Sequence, residues 1–529
     1  MRVDNATIAE LQAALASREV TAGALLRAYL ARIEAYDRAG PRLNAVREVN
    51  PDALAIAAAL DGARPTKSRP LAGIPILIKD NIATGDRQHT TAGSLALGEA
   101  RARHDAPLVA RLRAAGAVIL GKANLTEFAN FMAIDMPSGY SSLGGQVKNP
   151  YVPALDDEGV PLVTPGGSSA GSAVAVAAGL AAAAIGTETS GSLLNPATFN
   201  GLVTVKPTVG LISRSGIIPI AHSQDTAGPL TRTVRDAAIL LNVLAARDRA
   251  DPATRHLQRP PDYTAFLDRD GLRGARIGVP SDSADPGNDA FYGRLGMRDW
   301  AVMGGVVATL EAAGATVVRA NIATEGWIGG PGTQMAVLNR NPHSRATGQP
   351  GYRPIVFVYE LKYGINRYLR DWATETDMRS LADIVGYNER HAERALRFGQ
   401  DLLHAAEATR GDLGEPEYRS ARAMDLRSAQ AQGLDAYMAA YRLDAVLFPG
   451  AAGAQIAARA GYPSVQVPAG FTAGAGINGR ETPDYPLGAT FAGRAWSEAT
   501  LLRIAYAFEQ ANQGRNPPPG LPPLGSDDG

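Results

Sequence analysis

Apolar residues recur every three or four positions at the start of the chain. The pattern runs from Ile8 to Ile33, and Thr7 and Thr21 stand where helix N-caps are expected, so residues 7–37 predict amphipathic helical structure. Short apolar runs of strand length follow at residues 74–78 and 118–120, with a helical pattern between them at 106–115. This alternation predicts an α/β sheet covered by helices.

The second half of the chain repeats the alternation on a longer scale. Helical patterns occupy residues 293–315 and 355–440, and strand-like runs lie at 272–279, 444–448, 464–467 and 487–491. Strand material on both sides of a helical region predicts one interleaved domain. The most apolar run, residues 173–185, is shorter than the ~20 residues that cross a bilayer, and it predicts a buried core helix.

The predicted domain covers residues 1–513. It divides into N-terminal helices (1–65), a core (66–245), a helix-rich middle region (290–440) and C-terminal core strands (441–513). Residues 514–529 form a tail rich in proline and glycine, for which we predict disorder.

The amino-acid composition argues against several classes of function. The 52 basic residues balance the 52 acidic ones, so no net charge draws the chain to nucleic acid or to acidic membranes. No cysteine is present, and the seven histidines form no close ligand pair, so we expect neither a metal nor a cofactor. The first residues carry no apolar signal-peptide run, which favours a cytoplasmic location unless a leader was removed.

The candidate catalytic residues lie in one run of small residues and at one lysine. Residues 165–196 contain two glycine- and serine-rich turns, one with Ser168 and one with Ser192, and Lys79 ends an apolar strand upstream. Turns with few side chains let backbone N–H groups approach a substrate closely, as an oxyanion site requires. Two serines and a lysine supply a nucleophile and a base without histidine. The sequence therefore predicts a serine hydrolase of amide bonds.

The motifs resemble those of the amidase signature family. The chain reads GGSSAGS at 166–172, GTETSGS at 186–192, KPTVG at 206–210 and SQDTAGP at 223–229, and LAGIPILIKDN at 71–81 also matches. The likeness covers nearly the whole chain. Within the family, the middle and C-terminal thirds are most similar to bacterial peptide amidases, which remove the C-terminal amide of peptides.

The resemblance implies roles for particular residues. Ser192 would be the nucleophile, Ser168 the serine of an unusual cis peptide, and Lys79 the base that takes a proton through Ser168. A neutral lysine near pH 7 requires its pKa to fall by about three units, which burial favours. The expected oxyanion donors are the backbone N–H groups of Thr189, Ser190, Gly191 and Ser192. The implied fold is one α/β domain whose central mixed sheet is flanked by helices, and the implied reaction forms an acyl-enzyme and releases ammonia.

Substrate selection is expected to depend on the loop before the signature and on departures from the family pattern. Phe131, Met132, Tyr140 and Ser169 are candidate substrate contacts. The arginine that many members carry after the nucleophile is absent, because Leu193 follows Ser192, and this disfavours a substrate carboxylate there. Residues 152–164 form an acidic insertion, either a surface loop or a rim that favours cationic substrates. A peptide amide is the expected substrate, with aryl and fatty amides as alternatives.

Three other functions are open at this point. Residues 167–171 also fit the GxSxG elbow of α/β-hydrolases, which would make Ser169 the nucleophile with a distant aspartate and histidine. The glutaminase component of a tRNA-dependent amidotransferase shares the family motifs. An inert peptide- or amide-binding protein on this scaffold is the non-enzymatic alternative.

Overall fold

The strands confirm the predicted α/β architecture. The computed structural model describes residues 2–62, 64–281, 291–293, 295–322, 335–338, 351–472 and 484–524. In chain order the strands are Val46–Val49 (β1), Pro75–Lys79 (β2), Arg101–Ala102 (β3), Val118–Ala123 (β4), Tyr140–Ser141 (β5), Gly145–Gln146 (β6), Ala183–Glu188 (β7), Val203–Lys206 (β8), Thr226–Thr231 (β9), Arg276–Val279 (β10), Thr316–Arg319 (β11), Met335–Leu338 (β12), Gly351–Pro354 (β13), Ala373–Thr374 (β14), Ala445–Pro449 (β15), Ser464–Thr472 (β16) and Tyr485–Ala492 (β17).

Eleven of these strands form one mixed sheet, in the order β1-β4-β2-β7-β9-β8-β16-β17-β15-β10-β11. Strand β2 is parallel to both of its neighbours, β4 and β7, whereas β7, β9, β8, β16, β17 and β15 pair antiparallel in turn. The central strands β2, β4 and β7 are buried along their whole length. Their continuous apolar sequences reflect helices on both faces of a parallel segment.

Helices cover this sheet and build the middle region. They are Ile8–Ser17 (α1), Ala22–Arg32 (α2), Ala53–Ala59 (α3), Pro107–Ala114 (α4), Ala170–Ala177 (α5), Leu194–Phe199 (α6), Val234–Leu244 (α7), Met297–Ala312 (α8), Ile355–Asp371 (α9), Leu381–Arg390 (α10), Ala392–Ala395 (α11), Asp401–Glu407 (α12), Pro416–Leu426 (α13), Asp435–Tyr441 (α14), Ala454–Ala460 (α15) and Glu498–Asn512 (α16). None of the helices in the described ranges is both long and apolar enough to cross a bilayer.

The N-terminal helices begin at the predicted caps. The Thr7 hydroxyl accepts from the Glu10 N–H at 3.1 Å, and the Glu10 carboxylate accepts from the Thr7 N–H at 2.8 Å, which completes a capping box. The Thr21 hydroxyl caps α2 by accepting from the Ala24 N–H, without a reciprocal carboxylate. The helical pattern of residues 7–37 is therefore two helices, because Arg18 adopts a left-handed conformation between them.

The prediction of one buried helix over residues 173–185 is wrong. Helix α5 ends at Ala177, and Gly179 takes a φ of +68°. The Leu180 N–H bonds to the Ala175 carbonyl at 2.8 Å, and the Gly179 N–H bonds to the Val176 carbonyl at 3.2 Å, the pattern of a Schellman helix end. The rest of the run becomes strand β7, because its place between β2 and β9 outweighs the helix propensity of its alanines.

The middle region has a hydrophobic core of its own. Helices α9, α10 and α12 bury Leu361, Ile384 and Leu402 against the loop that contains Phe131 and Met136. This second core closes over the same edge of the sheet where β2 and β7 end. Helix α8 lies in the predicted helical pattern at 293–315, and α9 to α14 lie in the one at 355–440, while residue 294 lies outside the described residues.

The tail prediction also needs correction over residues 514–524. The Arg32 and Tyr36 side chains donate to the Pro522 carbonyl at 3.0 and 2.6 Å, and the Tyr151 hydroxyl donates to the Asn516 carbonyl at 2.6 Å. Proline-rich backbone has carbonyls that no helix or sheet uses, so it can bind to a folded surface through them. Residues 525–529 lie outside the described residues.

The turn after α5 generates a stability prediction. A Cβ at Gly179 would lie 2.4 Å from the Asp4 carbonyl oxygen, and φ is positive there. Gly179→Ala should therefore destabilise the fold by about 2–4 kcal/mol. The control is Gly305→Ala on an exposed face of α8, where a Cβ meets nothing within 4 Å, and where we expect a gain of about 0.5–1 kcal/mol. Denaturant unfolding measures both, and equal effects would contradict this account.

Candidate active site

Lys79 is the last residue of β2 and is completely buried. Its Nζ lies 2.8 Å from Ser168 Oγ and 2.9 Å from Thr187 Oγ1 on the neighbouring strand β7. The parallel pairing of β2 with β4 and β7 places this strand end below the signature turns. Sequence reasoning placed the lysine at a strand end but had no means of finding Thr187 as its second partner.

Burial is the main influence on the Lys79 amine. It lowers the pKa of Lys79 to about 7, against the opposing effect of the Asp225 and Glu188 carboxylates. Burial also raises the pKa of Asp225 to about 7, so the negative charge next to the lysine is itself weakened. Burial therefore favours the uncharged amine of Lys79, which contacts the Ser168 hydroxyl.

Ser168 lies in a tight turn whose shape depends on glycines. The peptide bond from Gly167 to Ser168 is cis, as the family resemblance implied. A Cβ at Gly166 would lie 2.4 Å from Pro196 Cα, and one at Gly167 would lie 2.7 Å from Thr126 Oγ1. Only glycine fits at these two positions, which brings the turn directly against the segment that follows Ser192.

Ser192 ends the second turn, directly before α6. The carboxylate of Glu188 accepts from the Leu193 and Leu194 N–H groups at 2.7 and 3.0 Å, which stabilises the start of this helix. The Ser169 N–H donates to the Ser192 carbonyl at 3.2 Å and joins the two turns. Over the described residues no hydrogen bond links the Ser168 and Ser192 hydroxyls in this structure.

The residues Thr189, Ser190, Gly191 and Ser192, whose backbone N–H groups are the expected oxyanion donors, all line one cavity. Within the described part of the chain, none of the four donates to a protein group. Gly191 takes a φ of +89°, and the Thr189 hydroxyl donates to the Asp225 carboxylate. A curved run of unsatisfied N–H groups is an anion-binding arrangement, suited to the oxyanion of an acyl-transfer intermediate.

The cavity beside Ser192 has a volume of about 460 Å³. Its apolar wall consists of Phe131, Ile220 and Phe357, and its other lining residues in the described ranges are Ala129, Asn130, Ser138, Gly167, Asn195, Gln224, Ala451, Ala454, Gln455 and Arg459, together with the oxyanion turn. Phe357 comes from α9, and Ala454, Gln455 and Arg459 come from α15. No local motif marks these residues, because the fold brings them in from segments far along the chain.

The four residues predicted to contact the substrate lie in different surroundings. Phe131 lines the cavity, whereas Met132 is buried in the second core and Tyr140 packs edge-on against Phe398 at 4.8 Å. Ser169 does not line it either, since its hydroxyl bonds to the carbonyl and N–H of Thr187 at 3.0 and 3.2 Å. Of the four predicted substrate contacts, only Phe131 is thus among the described residues that line this cavity, because the other three side chains are used in packing or in hydrogen bonds to the backbone.

The structure also bears on two hypotheses from the sequence, Ser169 as the nucleophile and residues 152–164 as an acidic rim. The Ser169 hydroxyl has backbone partners instead of the histidine that a GxSxG nucleophile requires. Residues 152–164 contribute nothing to the described cavity lining, and the Glu158 carbonyl accepts from Arg397 at 2.6 Å on the surface. Residues 152–164 are therefore mostly at the surface, outside the described lining of this cavity. No group of three or more His, Asp or Glu side chains that could hold a metal ion occurs among the described residues.

Comparison with known proteins gives consistent matches. The amidase family model matches residues 24–326. A probable amidase of Arabidopsis thaliana is 36% identical over 525 residues, covering 98% of this chain and 92% of that protein. The crystal structure of the peptide amidase from Stenotrophomonas maltophilia has a TM-score of 0.82 and 43% identity, covering 97% of this chain and 98% of that one. A glutamyl-tRNA(Gln) amidotransferase subunit of Burkholderia pseudomallei is 34% identical, covering 96% and 97%.

The lowered pKa of Lys79 predicts that the folding stability of the protein depends on pH. The pKa of Lys79 is about 7 in the folded protein and near 10.5 in the unfolded chain, so between these values the unfolded state holds a proton that the folded state lacks. The stability of the wild type relative to Lys79→Met should therefore rise with pH from 7 toward 10, by up to about 1.4 kcal/mol per unit.

Denaturant unfolding at pH 7, 8.5 and 10 measures this difference. Lys67→Met, which removes an exposed ammonium, controls for the change in surface charge. A stability difference between wild type and Lys79→Met that stays constant over this range would show that Lys79 is not a buried, neutral amine.

Proposed function

Because this chain belongs to the amidase signature family and hydrolyses amides, we propose that it releases ammonia from the C-terminal amide of peptides through Ser192, Ser168 and Lys79. The observation that carries the proposal is the contact of 2.8 Å between the buried Lys79 Nζ and Ser168 Oγ, beside a turn of unsatisfied N–H groups that ends in Ser192. A base, a relay and an oxyanion site therefore meet at one cavity.

The first step forms the acyl-enzyme. Ser192 Oγ attacks the amide carbonyl carbon, its proton passes to Ser168 Oγ, and the Ser168 proton passes to the neutral amine of Lys79. The negative charge that develops on the carbonyl oxygen is stabilised by the N–H groups of residues 189–192. The Ser192 hydroxyl rotates toward Ser168 when substrate binds, since catalytic hydrogen bonds often tighten only in the complex.

The second step releases ammonia and frees the acid. The C–N bond breaks as the Lys79 ammonium returns its proton through Ser168 to the departing nitrogen. Water then attacks the ester, gives its proton to Lys79 by the same relay, and Ser192 recovers its proton as the acid leaves. Every proton taken up by Lys79 is returned, so the cycle needs no cofactor.

Two observations favour a peptide amide as the substrate: the similarity of this chain to a peptide amidase, and the lining and volume of the cavity. The structural neighbour with 43% identity is a peptide amidase, and its chain is covered almost completely. The apolar wall of Phe131, Ile220 and Phe357 suits an amino-acid side chain next to the scissile amide, and about 460 Å³ holds roughly one residue with its neighbour. Aryl and fatty amides are the alternative substrates.

The glutaminase component of an amidotransferase is the second candidate, favoured by the relative that is 34% identical. This function would show as glutaminase activity that appears only with a partner protein. Ammonia release by the isolated chain from peptide amides, and none from glutamine, would exclude it.

Removal of each catalytic side chain tests the triad. Ser192→Ala should abolish hydrolysis of a peptide amide, and Lys79→Met and Ser168→Ala should lower kcat by at least about 10³-fold, because each interrupts nucleophile activation. Ammonia release measures activity, and a fluorophosphonate probe with mass spectrometry identifies the labelled serine. Ser169→Ala is the matched control in the same turn and should keep labelling at Ser192. Full activity of Lys79→Met would contradict the mechanism.

The pH profile tests the protonation state. The reaction requires neutral Lys79, so kcat/KM for an uncharged peptide amide should rise about tenfold per unit below pH 7 and level off above it. Asp225→Asn removes a carboxylate that raises the pKa of Lys79, so it should move this rise to lower pH. A profile that is flat between pH 5 and 9, or a shift to higher pH in the variant, would contradict the assignment.

A further inference from the structure

The wall of the cavity beside Ser192 contains a buried carboxamide without a partner, that of Gln224. This side chain is only 1% exposed. Its Nε2 atom has no hydrogen-bond partner, and no group among the described residues bonds to its Oε1. Nearly all buried polar groups in folded proteins are paired, because an unpaired one loses its hydration without compensation. The Gln224 carboxamide is therefore a candidate contact for a polar group of the substrate.

Other buried glutamines of this protein are paired at both ends of the carboxamide. Gln400 is 3% exposed, accepts from the Asn388 amide at 3.0 Å and donates to the Val385 carbonyl at 3.3 Å. Gln466 accepts from a threonine hydroxyl at 2.7 Å and donates to a backbone carbonyl at 3.3 Å. These two stabilise the fold through their hydrogen bonds, and Gln224 does not.

The turn that carries Gln224 is fixed through its backbone. The N–H groups of Gln224 and Asp225 donate to the Ala221 carbonyl at 2.9 and 2.8 Å. The Ser223 N–H donates to the Glu360 carboxylate of α9 at 2.7 Å. The position of the side chain in the cavity wall is thus set by the fold, although its carboxamide makes no hydrogen bond of its own.

This turn also joins the oxyanion turn to the apolar wall of the cavity. Asp225, the residue after Gln224, accepts from the Thr189 hydroxyl of the oxyanion turn. Ile220, at the other end, belongs to the apolar wall, and its N–H donates to the Asp225 carboxylate at 3.1 Å. A substrate with its scissile carbonyl on the oxyanion turn and its side chain on Ile220 brings its α-nitrogen toward Gln224, because all three groups branch from one α-carbon or its neighbour.

We propose that Gln224 binds the peptide group on the N-terminal side of the amidated residue, and so makes the enzyme selective for amides whose α-nitrogen is acylated. A carboxamide matches a peptide group, because both offer an N–H donor and a carbonyl acceptor. Since neither end of the Gln224 carboxamide is held by the protein, rotation can present either end to the substrate. This inference rests on the proposed amidase reaction and names a residue that selects its substrate.

The test compares two amides that share the scissile group and the side chain. Acetyl-Phe-NH₂ carries the peptide group, 3-phenylpropanamide lacks it, and ammonia release gives kcat/KM for each. The wild type should favour the acetylated amide. Gln224→Met keeps the length of the side chain but removes its hydrogen-bonding groups, so it should lower this preference about tenfold, as expected for one buried hydrogen bond. Gln400→Met, which removes a buried carboxamide outside the described cavity lining, is the matched control and should keep the wild-type preference.

Denaturant unfolding without substrate gives a second readout. Gln400→Met should lower the midpoint, because the Asn388 amide and the Val385 carbonyl lose a partner, whereas Gln224→Met should not lower it. Rates are normalised to fluorophosphonate labelling of Ser192, which reports the folded, reactive fraction of each variant.

Three results would overturn the role of Gln224 and leave the amidase reaction intact. They are an unchanged preference in Gln224→Met, an equal loss of preference in Gln400→Met, and a fall in the midpoint of Gln224→Met as large as that of the control. No ammonia from either amide with the wild type would overturn the proposed reaction itself.

Discussion

The site depends on a lysine held without water inside an apolar sheet. A buried ammonium is costly, so Lys79 lowers that cost by losing its proton, and its pKa falls to about 7. Three buried strands, β4, β2 and β7, are needed to exclude water from this one amine, and helices must cover both of their faces. The Ser168 and Thr187 hydroxyls then satisfy the amine without adding charge. The burial that these strands provide is therefore the main cause of the lowered pKa of Lys79.

The glycines of the motifs meet a second requirement, the close approach of backbone segments around that lysine. A Cβ at Gly186 would lie 2.7 Å from Ser169 Oγ, and one at Gly228 would lie 2.1 Å from the Val205 carbonyl oxygen. Both glycines are in strands, where their lack of a side chain lets a turn or a neighbouring strand come closer than a sheet normally permits. The small residues of the signature therefore allow these backbone segments to pack closely together. The same lack of side chains leaves the N–H groups of residues 189–192 uncovered.

Sequence patterns predict the parts of this protein that depend on local chemistry. Three features are each determined by a short stretch of chain and occur where the pattern predicts them. They are the helix cap at Thr7, the strand that ends in Lys79 and the two serine turns. Segments whose state depends on distant partners were less predictable. The alanine-rich run after Gly179 pairs as β7 because β2 and β9 flank it, and the tail at Pro522 is ordered by Arg32 and Tyr36 from the other end of the chain. Met132 and Tyr140 were predicted as substrate contacts for the same reason, since Met132 is buried in the second core and Tyr140 packs against it and against Phe398.

This division between local and distant determinants also separates the two walls of the cavity. The groups proposed as base, relay and oxyanion donors come from β2, the turn before α5 and the turn after β7, whereas the opposite wall comes from α9 and α15. The carboxylates that raise the pKa of Lys79 are Asp225, directly before β9, and Glu188, at the end of β7, so they come from the same part of the sheet as the lysine. The two relatives at 34–36% identity are named for different reactions, one as a probable amidase and one as a subunit of an amidotransferase, so this family carries more than one amide chemistry.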